Sequence, residues 1–293
     1  MFGEQAIDVR VQRPAVVLET AVLATGLPGT VRLEAIERMT AAARGRGAEP
    51  AFAGILQGRA VVGLNLYELE TLAQHRRKLS TRDLPAAMAK GEHGGTTVAA
   101  SVFLANRAGL PVVATGGIGG VHPSLGPPDV SADLLELART PVVLVCSGAK
   151  AITDLPATLE RLETLGVSVV GFETDEFPAF WTAESGLAVD VRVDSAAEVA
   201  EIWRRAQALQ SNGALLVCVP PPAEVAMSKA DSQAAVRQAH SELEAAGVSG
   251  PAITPFLLGR ISELTDGRSL KANLALLENN AGVAAAISSA VHG

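Results

Sequence analysis

The sequence predicts a single three-layer α/β/α domain built on a mixed, mostly parallel sheet. Short apolar runs rich in β-branched residues alternate with apolar-periodic helices along nearly the whole chain, which is the α/β pattern. The two clearest strand signals, residues 111–115 (PVVAT) and 141–147 (PVVLVCS), each end in small residues, Gly116-Gly117-Ile118-Gly119-Gly120 and Gly148-Ala149-Lys150. Two early runs, 51–56 and 59–63, are joined by Gln57-Gly58 and read as a hairpin, which makes the sheet mixed. No long linker, internal repeat or low-complexity tract divides the 293 residues, so one domain over 1–293 is expected.

In chain order, 15–18 (AVVL) is a strand ending at Glu19. Residues 32–44 form an amphipathic helix with Leu33, Ile36 and Met39 on one face. After the hairpin come a helix over 66–75, Lys78, and a short helix that Asp83 would cap. Residues 96–108 are an Ala-rich helix suited to close packing on a sheet, and Ser131-Ala132-Asp133 opens another. The helix over 155–165 stops at Gly166, as a C-cap would. A strand follows at 167–172, then a helix over 195–210 and a strand at 215–219 stopped by Pro220-Pro221-Pro222. Residues 223–246 read as one long helix, and 254–265 and 269–290 as the last two.

Composition excludes several functions. With 48% hydrophobic and 19% charged residues the chain is globular. Only 3% aromatic residues and a net charge of −7 argue against nucleic-acid binding. The densest basic patch, 75–82 (HRRKLSTR), suffices for one phosphate. Cys146 and Cys218 lie in apolar runs and read as buried free thiols. No signal-peptide pattern opens the chain and no uninterrupted apolar run reaches membrane-spanning length, so the expected compartment is the cytoplasm.

In an open α/β sheet, ligands gather beyond the carboxyl ends of the strands. The glycines, His122, Asp129, Asp133 and Lys150 are predicted near that rim. The run 116–120 is not a dinucleotide fingerprint, because His122 stands where a third glycine is needed. It reads instead as a flexible turn that lets backbone approach a ligand. Lys150 follows an apolar strand, so its amine could lose its charge and attack a sugar carbonyl carbon, helped by a second cation such as Lys78. It could equally be a solvated lysine at a helix start, and the residues alone leave both readings open. Glu19, preceded by four apolar residues, is a candidate general acid or an exposed strand-end glutamate. Asp129 could hold a hard cation. Ser131 reads as an N-cap, and His122 as a substrate contact or a loop histidine.

The runs GGTTVAAS, ATGGIGGVH, DVSADLLEL and TPVVLVCSGAK resemble the pseudouridine-5′-phosphate glycosidase family, also called indigoidine synthase A-like. So do KLSTRDLP (78–85), DEFPAFWTAESGL (175–187) and TPFLLGRISELTDGRSLKANLALLENNA (254–281). The resemblance spans nearly the whole chain. It implies an enzyme that breaks or forms the C–C bond between C1′ of ribose 5-phosphate and a nucleobase carbon, with a divalent metal, typically Mn2+, in a homotrimer. Lys150 then resembles the nucleophile that bonds C1′ through a Schiff base, and Glu19 the acid that protonates the aromatic carbon. Asp129 matches the metal ligand. Lys78, Val98, Ser131, Ala132 and Asp133 match substrate contacts, as does His122. One of Asn279 and Asn280 would face the pocket.

The chain departs from the family pattern at several polar positions: Ala21, Thr25, Pro123 and Val219 stand where threonine, histidine, arginine and asparagine are usual. These losses at the base end predict an apolar acceptor. The expectation is therefore a C-glycosynthase that joins ribose 5-phosphate to an aromatic, polyketide-type acceptor in antibiotic biosynthesis, as in alnumycin biosynthesis. The alternative is cleavage of pseudouridine 5′-phosphate to uracil and ribose 5-phosphate.

Overall fold

The structure, a computed structural model, describes residues 7–123, 129–248 and 253–293. β1 (Ile7–Val9) and β2 (Ala15–Leu18) lead into α1 (Gly29–Gly45), and then into the hairpin β3 (Glu49–Leu56) and β4 (Arg59–Val62). The hairpin turn places Gln57 and Gly58 at φ 49° and 74°, the twist that a two-residue loop requires. α2 (Leu66–His75) begins on a reciprocal cap between Asn65 and Glu68. Next come β5 (Lys78–Leu79), α3 (Leu84–Ala89), β6 (Gly94–Thr96) and α4 (Val98–Arg107), capped by Thr97. β7 (Val112–Ala114) is followed by a small ladder of β8 (Val121–His122) with β9 (Asp129–Val130), and by α5 (Ala132–Arg139). The second half runs β10 (Val143–Cys146), α6 (Leu155–Thr164), β11 (Ser168–Phe172), β12 (Val191–Val193), α7 (Ala196–Ala208), β13 (Leu215–Cys218), α8 (Lys229–Ala245), α9 (Ile253–Leu264) and α10 (Arg268–His292).

Two local expectations are corrected. The helix expected over 223–246 starts only at Lys229, on the Ser228 N-cap. Pro220-Pro221-Pro222 supply no backbone donors, and the chain turns until Met227 bonds the Trp181 carbonyl. Asp83 precedes α3 without capping it, because its carboxylate turns back to the Ser80 N–H.

The sheet order is β1-β4-β3-β2-β7-β10-β13-β11-β12, with β6 on β3 and β5 on β6. All pairs from β3 to β12 along this path are parallel, while β4 and β6 run antiparallel to β3. The central strands are apolar at every position because both faces are covered. Val16, Val143, Val145 and Val217 face a core shared with α1, α7 and α10; Val17, Leu144, Cys146 and Leu216 face the one under α4, α5 and α6. α10 is long and apolar enough to cross a membrane by length and composition, yet it is a core helix that packs on α1, α7 and the strands β2, β7 and β10.

One feature of this order positions the site. From β2 the chain steps to β3 on one side, and it later returns to β7 on the other side. The strand order therefore reverses between β2 and β7, and such a switch point opens a crevice at the carboxyl ends.

Candidate active site

Glu19 is the first residue past β2, and Thr115 the first past β7. Leu18 pairs with Ala114, so register alone sets the two side by side. Glu19 is 7% exposed, and its Oε1 accepts a hydrogen bond from Thr115 Oγ1 at 3.3 Å. Burial pushes the Glu19 carboxyl above the usual carboxylate range; the charge of Lys150 pulls it back, the like charge of Asp133 raises it, and bonds from Thr115 and the Val22 N–H lower it. The strand-end glutamate is thus a buried acid beside a lysine, not an exposed group.

Lys150 comes from the third neighbouring strand, β10. It is half-buried, and the turn that carries it is bonded down through Lys150 N–H to the Ile118 carbonyl and Thr153 Oγ1 to the Lys150 carbonyl. The turn needs glycine at 148: φ is +74°, and a Cβ there would lie 1.9 Å from the Pro178 carbonyl oxygen.

The glycine run 116–120 is not the flexible, ligand-facing turn expected. All five residues are buried. A Cβ on Gly117 would meet the Phe180 ring at 2.7 Å, one on Gly119 the Ser131 hydroxyl at 2.3 Å, and one on Gly120 the Thr158 hydroxyl at 2.3 Å. These glycines make room for neighbouring side chains.

Of the residues matched to substrate contacts, Asp133 lies near enough to Glu19 for its charge to act on it. Asp133 is 6% exposed, and both its oxygens are engaged: Oδ1 accepts from Ala99 N–H at 2.9 Å and Oδ2 from Gly119 N–H at 2.8 Å. It ties the first turn of α4 to the glycine run. Ser131 Oγ caps α5 by accepting from the Asp133 N–H, and Ala132 is exposed beside it. The Val98 side chain is buried in the core, so only its backbone can reach a ligand. The starts of α4 and α5 nonetheless lie together; Asp133, Thr97 and Ser131 take the N–H groups of Ala99, Ala100 and Asp133, and those of Val98 and Ala132 are the first-turn donors without a partner among the described residues, which favours an anion there. Lys78 is exposed on β5.

His122 pairs with Asp129 across the small ladder. Burial lowers its pKa, against the raising effect of Asp129 and with Lys150, His240 and Lys78 lowering it further. His240 on α8 was not singled out from the sequence, and its Nε2 is buried without a partner among the described residues. Asp129 is exposed, and among the described residues no three acidic, histidine or cysteine side chains converge. This donor set fits a hard cation held by one carboxylate, water and ligand oxygens better than a protein cage.

Sequence reasoning also missed Thr115. Asn280 is fully buried and faces the strand ends, not an open pocket. The departures read as an apolar acceptor site disperse. Val219 is core, Thr25 spends its hydroxyl on the Ala21 carbonyl, Ala21 is buried, and Pro123 is exposed. A cleft of about 450 Å³ beside the 151–156 turn, lined by Thr153, Asp154, Ser185, Lys229 and Arg237, contains none of the predicted site residues.

A buried carboxyl and a lysine whose charge acts on it, at the carboxyl ends of the central strands around a switch point, define a site suited to acid and amine chemistry. Residues 4–290 match the indigoidine synthase A-like protein family, and the chain belongs to it. It is 50% identical over 282 residues to a pseudouridine-5′-phosphate glycosidase of Chloroflexus aurantiacus, covering 94% of this chain and 92% of the relative. It is 47% identical over 283 residues to one of Methylobacterium nodulans, covering 96% and 84%. The crystal structure of an indigoidine synthase A-like protein of Thermotoga maritima superposes with a TM-score of 0.92 at 40% identity, covering 98% of this chain and 97% of that one. The prealnumycin C-glycosynthase AlnA, solved with ribulose 5-phosphate, gives 0.89 at 34% identity with the same coverage. These likenesses overturn the expectation of a C-glycosynthase, because the relatives near 50% identity carry the glycosidase name and the synthase stands further off.

Proposed function

We propose that the protein cleaves pseudouridine 5′-phosphate to uracil and ribose 5-phosphate. The observation that carries this reading is the pairing of Glu19, buried and biased toward its protonated form, with Lys150, whose charge acts on it from the end of β10, one strand beyond β7. The neutral Lys150 amine forms a C–N bond to C1′ as the ring C1′–O bond breaks, and the proton shed by the nitrogen passes to the ring oxygen, which opens the sugar. The nitrogen lone pair then forms C1′=N as the C1′–C bond breaks toward the base, whose carbon takes the Glu19 proton, and uracil leaves. Water adds to the C=N bond, releasing ribose 5-phosphate and the amine and returning a proton to Glu19.

The phosphate would lie at the joined starts of α4 and α5, near Lys78, with Ser131, Ala132 and the Val98 backbone as contacts. His122, held neutral by burial, would contact the ligand. Asp129 would hold the divalent cation, Mn2+ in this reading, which when bound offsets phosphate charge. The homotrimer belongs to the same reading, since Val130 and Leu135 leave apolar side chains exposed at 40% and 55% beside the site. So does a cytoplasmic setting, with which two buried, reduced cysteines agree.

The test is incubation with pseudouridine 5′-phosphate and Mn2+, following uracil by chromatography. Uracil and ribose 5-phosphate should appear in equal amounts, with Asp129→Ala raising the Mn2+ requirement. Absence of uracil under these conditions would sink the reading.

A further inference from the structure

We infer that Thr115 is a positioning residue that fixes which oxygen of Glu19 carries the proton, and that Asn280 holds Thr115 in that task. This rests on the reading of Glu19 as the acid. A protonated carboxyl has one O–H and one carbonyl oxygen. The carbonyl oxygen is the better acceptor, so a hydroxyl that donates to one oxygen favours the acidic proton on the other. Thr115 Oγ1, 2% exposed as a residue, has Glu19 Oε1 as its one hydrogen-bond partner among the described residues, at 3.3 Å. The proton therefore belongs on Oε2. Without the hydroxyl, its bias toward Oε2 is lost, and a turn of the carboxyl would aim the proton away from the ligand.

Thr115 is itself held at both backbone ends. Its N–H donates to the Val145 carbonyl at 3.0 Å, and its carbonyl accepts Asn280 Nδ2 at 2.8 Å. Asn280 is 0% exposed on α10, among Leu276, Leu277, Ala281 and Ala284 of the core. A carboxamide in such surroundings is costly unless every polar atom is bonded. Its remaining partners are the Gly116 carbonyl and the Ser147 hydroxyl. Ser147 begins the turn that reaches Lys150, so one buried side chain braces the strand ends behind both reactive groups. The charged groups that face Glu19 are Lys150 and Asp133, and neither is altered by changing Thr115 or Asn280.

The experiment measures kcat and KM for pseudouridine 5′-phosphate across pH in Thr115→Val, Thr115→Ser, Asn280→Ser, the double variant Thr115→Val/Asn280→Ser and Glu19→Gln, each first checked by thermal unfolding. Thr115→Val should lower kcat at least about tenfold with KM within about twofold, a part of what a general acid supplies. The alkaline limb of its kcat profile should move to higher pH, because a bond that favours the ionised carboxylate is gone. Thr115→Ser should restore both. Asn280→Ser should change kcat in the same sense, and the double variant should lose less than the sum. Should Asn280→Ser not fold, Thr115→Val and Thr115→Ser decide alone. Wild-type kcat and limb in Thr115→Val, with Glu19→Gln inactive, overturns this inference. Wild-type turnover in Glu19→Gln instead overturns the reading beneath it.

Discussion

Burial and Lys150 act on Glu19 in opposite directions. Burying a carboxyl disfavours its charge, and a nearby ammonium restores part of it. Loss of the amine should therefore be felt by the acid. Lys150→Ala should abolish borohydride trapping of a sugar phosphate adduct, read as a mass shift on the intact protein; equal labelling of variant and wild type would move the nucleophile elsewhere. Stability follows from Glu19 by linkage. Its folded pKa exceeds the unfolded one, so the folded state binds the extra proton between the two values. Stability should then fall as pH rises from the ordinary carboxylate range through the raised value. Urea midpoints at a series of pH values should show that slope in wild type and a shallower one in Glu19→Gln.

At the scale of elements, strand ends and helix starts are joined by backbone bonds that tolerate little change. Gly148 combines positive φ with a Cβ direction blocked by the Pro178 carbonyl. Gly148→Ala should cost roughly 3 kcal/mol or more, since strain and a backbone clash act together. Chemical denaturation would show it, and an unchanged midpoint would mean that the 148–150 turn is softer than its contacts imply. Asp133 behaves similarly. Asp133→Asn must turn an amide N–H2 toward either Ala99 N–H or Gly119 N–H, so one buried donor loses its acceptor. A loss of about 2 kcal/mol is expected in the same measurement, within the 1–3 kcal/mol typical of an unmet buried donor.

The whole molecule is a sheet covered on both faces, and among the described residues Val130 and Leu135 are exposed apolar side chains that follow Asp129 closely in the chain. Asp129 precedes Val130 directly, so a neighbouring copy seated there would shield the proposed cation site. Sedimentation should give the mass of three chains of 30.1 kDa, and a double change of Val130 and Leu135 to aspartate should shift it toward one. A wild type sedimenting as a single chain would remove the trimer from this account.

The sequence by itself determined the α/β class, most element boundaries and the strand-end places of Glu19 and Lys150. Those depend on local chemistry: two-sided apolar runs, Ser and Asn caps, and glycine stops. It did not determine what the glycines at 116–120 are for, because a glycine that admits a ligand and one that admits Phe180 or Ser131 read alike along the chain. Nor could it show that Asp133 spends both oxygens on backbone, or that Val219, read as part of a changed acceptor site, packs in the core. The partnership of Thr115 with Glu19 and Asn280 joins residues 96 and 165 positions apart. Only the sheet register and the seating of α10 bring them together, since hydrogen bonds are decided by proximity in space and no local pattern encodes contacts so distant in sequence.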